Sequence, residues 1–243
     1  RTIAHNCITI RMPGEIMPPY WDSGAALSEG EAPESYPNDG GQQDRMGSEI
    51  IAFDEKDEYV YIASDATASY HPDKAREVIR QMVFLPPDYF VIFDRVFSTD
   101  PGYHKRWLIH TAAEPRASSA EFHADHWGGR LFCRTVFPAD AELKKVGGPG
   151  KQFWSDGKNW ALPELTPDDW NYQNMKWLDN NHDLFGQWRM EVIPGMSRKE
   201  DVFLHLLQVG DTALTAMVPS TPVSGDDFIG VRFGSGETEY ELA

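Results

Sequence analysis

Histidine and tryptophan side chains hold most of the chemistry that this 243-residue chain can offer. A histidine titrates near neutrality, so its surroundings decide whether it acts as base, acid or metal ligand. His5 lies beside Asn6 and Cys7 in the apolar run Ile3 to Met12. Alone it reads as a core or edge residue, because zinc takes three or four ligands at about 2 Å and nothing nearby in sequence supplies them. His110 ends the run Arg106-Trp107-Leu108-Ile109-His110, with Glu114 downstream; packing and a place in a cleft are both open to it. His123 and His126 look like a ligand pair. In extended chain, however, residues three apart point to opposite faces, so a solvated turn is expected there. Trp154, Trp160, Trp170 and Trp177 fall within one stretch, 147–183, and are half of the chain's 8 tryptophans. Flat aromatic rings match the C–H faces of sugars, which makes Trp154 and Trp160 candidate saccharide contacts. The same rings would also serve simply to fasten the loop to its domain or to a neighbouring one.

Other chemistries lack a signature. There is no GxSxG elbow, no HExxH pair and no CxxC, and Gly147-Gly148-Pro149-Gly150 has no Lys-Ser/Thr after it to hold a phosphate. Paired-carboxylate hydrolysis has no specific signal among 38 acidic residues.

The elements that must position these residues are short β-type runs separated by turn residues. Strands are expected at Ile3–Met12, Ile50–Asp54, Glu58–Ser64, Val78–Leu85, Tyr89–Phe97, Lys105–His110 and Arg130–Phe137. Further runs are Gln187–Ile193, Val202–Val209, Ala213–Val218, Ile229–Phe233 and Thr238–Leu242. In Tyr89–Phe97, Phe90 and Ile92 make one face apolar and Val91 and Phe93 the other, which predicts a central strand covered on both sides. Pro72 to Gln81 has helical spacing as well, but an extended reading is preferred. This pattern predicts an all-β fold, an antiparallel two-layer β-sandwich of many strands, as a single domain over residues 1–243. Two long irregular loops, 13–47 and 147–183, interrupt it. Disorder suits the first better than the second, since clustered tryptophans rarely stay in water.

Composition narrows the partners. The net charge of −16 argues against nucleic acid, which needs a Lys/Arg surface, and also counts somewhat against a polyanion unless a local basic patch exists. No apolar run approaches the roughly 20 residues needed to span a bilayer, so no membrane partner is expected. Cys7 and Cys133 leave open either one disulfide or two thiols. The chain opens on Arg1-Thr2-Ile3, without a start Met or a signal peptide, and reads as a fragment or a processed product.

Several phrases in order along the chain resemble the β-sandwich region of the heparinase II/III-like polysaccharide lyases. They are Arg1-Thr2-Ile3-Ala4-His5-Asn6, Asn38-Asp39-Gly40-Gly41-Gln42, Pro87 to Val96, Lys105 to Thr111, Gly147 to Gly150 with Phe153-Trp154, and Asp201 to His205. The resemblance implies a secreted or periplasmic bacterial enzyme that cleaves uronate-containing polysaccharide by β-elimination. It also implies a substrate cleft between this sandwich and an upstream α/α toroid, carried by the same protein or as a separate chain. The catalytic Tyr and His residues of such enzymes lie mainly upstream, so none is assigned here and this chain alone is expected to be inactive. His5, in the Ala-His-Asn phrase, corresponds to one ligand of a structural zinc site whose other ligands lie upstream. Gln42 and His110 join Trp154 and Trp160 as candidate substrate contacts, the partner being an acidic polysaccharide or oligosaccharide. The first sandwich strands would also lie upstream, so an unpaired sheet edge is expected here. The alternatives are a non-catalytic carbohydrate-binding or interaction sandwich that relies on the Trp-rich loop and, more weakly, a sandwich glycosidase.

Overall fold

A computed structural model describes residues 2–17, 38–44, 46–152, 154–159, 185–235 and 238–243. These residues form an antiparallel β-sandwich. Its main sheet has eight strands in the order β2 (Glu49–Lys56), β3 (Tyr59–Asp65), β4 (Ala75–Leu85), β5 (Tyr89–Ser98), β14 (Glu200–Asp211), β9 (Gly129–Phe137), β8 (Glu121–His126) and β7 (Arg116–Ser118). Facing it is a four-stranded sheet of β1 (Ile8–Arg11), β6 (His104–Thr111), β13 (Trp188–Ile193) and β10 (Glu142–Gly147). A small sheet follows from β15 (Ser220–Ser224), β16 (Ile229–Ser235) and β17 (Thr238–Leu242), and β11 (Trp154–Ser155) pairs with β12 (Lys158–Asn159).

Alternation along β14 shows why the main sheet is covered twice. Phe203 and Leu207 point into the core shared with Trp107, Ile109, Met190 and Val192 of the facing sheet. Leu204 and Leu206 point the other way, into a second core with Met217, Val218, Val231 and Phe233. The small third sheet thus lies on the far face of the eight-stranded one. β5 occupies an interior position, with Phe90 and Ile92 at the first core and Val91 and Phe93 at the second, in line with its two apolar faces. Each large apolar side chain fully buried this way stabilises the fold by about 1.5–3 kcal/mol.

Polar groups cross the main interface. Lys105 Nζ on β6 meets Asp201 Oδ2 on β14 at 2.9 Å with both side chains buried. Trp107 stacks on His205 with ring centroids 3.8 Å apart, and Thr135 Oγ1 lies 3.3 Å from His205 Nδ1. Desolvation holds the His205 pKa well below the ordinary value, so the ring is neutral. Arg80 grips the buried Asp94 through Nε–Oδ1 (2.7 Å) and Nη2–Oδ2 (3.1 Å). Burial pushes the Asp94 carboxyl up, and the guanidinium opposes that shift.

The structure departs from the sequence reading in several places. Residues 2–4 form a 3-10 turn and the first strand starts only at Ile8, so His5 is not on a strand and does not share a strand face with Cys7 and Thr9. Residues 121–126 form a strand instead of a solvated turn, with His123 packed on Phe132 at 5.2 Å. The segment 213–218 is a connection, and the strand follows at 220–224. β4 is extended from Ala75, so the helical alternative for 72–81 is not realised. Cys7 and Cys133 are both thiols.

The sheet edges are treated unequally. Along the outer edge of β1, Ile10 N donates to Gly40 O (2.7 Å) and Tyr70 Oη donates to Ile8 O (2.6 Å). Strand β2 is exposed at all eight positions, including Ile50, Ile51 and Phe53.

Candidate functional site on the outer face of the four-stranded sheet

Cross-strand register sets the site. On β6, Trp107 and Ile109 point into the core, which leaves Arg106, Leu108 and His110 on the outer face. Their partners on β13 are Glu191, opposite Leu108, and Arg189, opposite His110. An outer strand face would ordinarily be solvated, yet Arg189 and Glu191 are 6% and 2% exposed. The covering comes from the chain after β10. Gly147 and Gly148 have φ of +147° and +78°, and a Cβ on Gly148 would sit 2.7 Å from the Trp188 ring. Only glycine lets the chain pass that ring and bring β11 back over the sheet.

Arg189 organises the centre. Its Nε donates to Glu191 Oε1 at 2.8 Å, and its Nη2 donates to the Trp154 carbonyl at 2.8 Å. Arg106 Nε approaches Glu191 Oε2 at 3.8 Å. Two guanidiniums thus share one carboxylate, which leaves local positive charge on a chain whose net charge is −16. Of the two, Arg189 is buried and Arg106 is partly exposed, so the excess positive charge reaches solvent at Arg106.

His110 is held from the N-terminal side. Asn6 Oδ1 accepts from the His110 backbone N–H (2.8 Å) and lies 3.1 Å from Nδ1, while Nε2 lies 3.1 Å from Ile3 O. Both neighbours are acceptors, and a neutral imidazole has one N–H to give. Desolvation, together with the nearby Arg189 charge, nevertheless lowers the His110 pKa to about 4. At neutral pH the ring therefore donates to only one of the two oxygens. Asn6 also accepts from Arg80 Nη1 through its own carbonyl, so a hydrogen-bonded path runs Asp94–Arg80–Asn6–His110 from core to surface. Glu114 is engaged elsewhere, with Lys145.

The other candidates distribute around this centre. Trp154 is half-buried, touches Arg189 through its carbonyl and has Lys151 Nζ 5.6 Å from its ring centroid. The Gln42 N–H donates to Thr2 Oγ1 (2.8 Å), so Gln42 and His110 are tied to the same 2–4 turn. His5 is exposed on the bend that follows, with a pKa lowered by partial burial, and its charge is felt at His110. Trp160 lies outside the described residues. A zinc ion needs three or four ligands. Among the described residues no three His, Cys, Asp or Glu side chains converge, so on their own they do not form such a site. Arg106, Arg189 and Glu191 were not singled out from sequence; alternation along Trp188–Ile193 makes Arg189 and Glu191 look like ordinary solvent-facing residues. Asn6 had a signal, its place after His5, but not one that pointed to His110.

No family model and no curated protein matches this chain. Solved structures do. The heparan sulfate lyase HepC from Pedobacter heparinus aligns with a TM-score of 0.52 at 10% identity, over 80% of this chain and 27% of that one. A structure of heparinase III aligns with a TM-score of 0.51 at 10% identity, and another heparinase III with 0.52 at 12%, over the same shares. At these identities the likeness is one of fold, and it agrees with the sandwich that the sequence phrases imply. The chain spans about a quarter of the length of these lyases (27%).

Proposed function

We propose that this chain is the sandwich portion of a polysaccharide lyase acting by β-elimination on uronate-containing chains, and that the Arg106–His110–Arg189 face forms one wall of the substrate cleft. The observation that carries this reading is the local positive charge of two guanidiniums around Glu191, beside a histidine that stays neutral, on an otherwise acidic molecule. β-Elimination needs the uronate carboxylate neutralised while a base removes the C5 proton and an acid protonates the leaving oxygen. Arg106, partly exposed at the rim, suits the first task, and the half-buried Trp154 beside Arg189 is proposed as a sugar contact. Base and acid are assigned to an upstream α/α toroid, in the same protein or as a separate chain. Gln42 and Trp160 are proposed as further substrate contacts. His5 is proposed as one ligand of a structural zinc whose remaining ligands come from that upstream portion; its exposure and lowered pKa suit a neutral nitrogen donor. A secreted or periplasmic location belongs to the same proposal.

The test is binding and turnover with a uronate oligosaccharide. The 243-residue chain should bind it without forming unsaturated product, read as ultraviolet absorbance, and Arg106→Gln should weaken binding. The full-length protein should release the product. Turnover by the chain alone would overturn the division of labour. Binding of neutral glycans with none to uronates would favour a non-catalytic carbohydrate-binding sandwich.

A further inference from the structure

The hairpin joining β8 to β9 turns through Trp127 and Gly128, whose φ values are +48° and +83°, between the paired residues His126 and Gly129. The β11–β12 hairpin turns through Asp156 and Gly157 with nearly the same angles, +47° and +84°. Asp-Gly is what a two-residue turn of this type favours, because both central residues need positive φ. A bulky aromatic residue in that position is a backbone outlier. Trp127 is also 72% exposed, so no core packing repays the strain.

The tip is tied to neighbouring segments of the chain by hydrogen bonds. Thr212 N donates to Gly128 O at 3.0 Å, and Arg130 clamps the hairpin base through Asp125 and the Leu214 carbonyl. The His126 ring lies alongside, with centroids 4.4 Å apart and planes inclined by 31°. The residues around the tip, Asp125, His126, Arg130, Asp211 and Thr212, are polar. A protein anchor would be expected to have apolar neighbours around the ring. A single fixed aromatic face rimmed by hydrogen-bonding groups fits one pyranose ring instead.

We infer that Trp127, steadied by His126, is a stacking platform for a sugar ring, at a site separate from the Arg106–His110–Arg189 face. The inference rests on the saccharide reading of the protein and adds a second point of contact. The sugar comes either from a uronate chain or from a neutral glycan, and the two probes below distinguish them.

The experiment is an NMR titration of the 243-residue chain with a uronate-containing hexasaccharide and, separately, a neutral glucan hexasaccharide, following the Trp127 indole N–H. That resonance is assigned by its loss in Trp127→Asn. At least one probe should shift it saturably. Trp127→Asn should weaken that probe about fivefold or more, as expected for one lost stacking contact. The melting temperature should not fall, since Asn accepts positive φ more readily. Trp127→Phe should retain part of the affinity. No shift with either probe, unchanged affinity in Trp127→Asn, or an indole shift driven by protein concentration alone would overturn the inference. If Arg106→Gln abolishes uronate binding elsewhere while the Trp127 shift persists, the hairpin site stands by itself. If Arg106→Gln removes the Trp127 shift as well, the platform is not a separate site.

Discussion

Replacing His110 with glutamine should change how the stability of this protein depends on pH, by an amount the structure sets. Burial is the main cause that lowers the His110 pKa from 6.5 to about 4, with Arg189 and His5 adding repulsion and Glu191 opposing them. A depressed folded-state pKa means that the native state prefers the neutral ring. The associated stability is therefore fully present above about pH 6.5 and is lost as the pH falls toward 4. At about 1.4 kcal/mol per pH unit the span corresponds to about 3 kcal/mol, which partial exposure of the ring trims to about 2–3 kcal/mol. His110→Gln is uncharged throughout and keeps an amide able to donate to Asn6 Oδ1 or Ile3 O. Urea unfolding of both proteins at about pH 7, 5.5 and 4 gives the difference directly. His205, whose pKa burial also lowers, is common to both proteins and cancels. The wild-type protein should lose about 2–3 kcal/mol relative to the variant between the extremes. A pH-independent difference, or one that changes in the opposite sense, would refute the reasoning that desolvation outweighs the two acceptors around the ring.

Other perturbations follow from the same geometry. Arg80→Met leaves Asp94 buried without its partner and should cost about 3–5 kcal/mol by denaturant unfolding. Asn6→Ala removes the acceptor for the His110 N–H and should cost about 1–2 kcal/mol, with a shifted His110 ring signal in NMR. Phe53→Lys on the exposed β2 edge should reduce concentration-dependent association in sedimentation without lowering the melting temperature, because an apolar edge strand is a template for pairing. Cys133 should resist thiol reagents in the native state and react on unfolding, while half-buried Cys7 reacts slowly; burial raises the pKa of both.

Much of the architecture was legible in the sequence, because a strand's alternation is local. The two apolar faces of Tyr89–Phe97 announced an interior strand, and Pro86-Pro87-Asp88 marked the turn before it. The phrases resembling the lyase sandwich pointed to the fold that the solved structures share. Local pattern could not reveal what comes to lie over a strand face. Trp188–Ile193 reads as an ordinary half-buried strand, yet a segment entering past Gly148 sets the Trp154 carbonyl on Arg189, and Arg189 holds the buried Glu191, so two solvent-type residues become the centre of a charged site. The grip of Asn6 on His110 spans 104 positions, and Lys105 and Asp201 meet across 96. The first depends on where the N-terminal segment runs against β6 and the second on how two sheets stack, and no periodicity within a strand encodes either. Strand identity and strand faces thus belong to the sequence, through the two-residue period of extended chain. The site belongs to the tertiary structure, because only sheet packing and loop crossing decide which polar residues lose their water and must find one another.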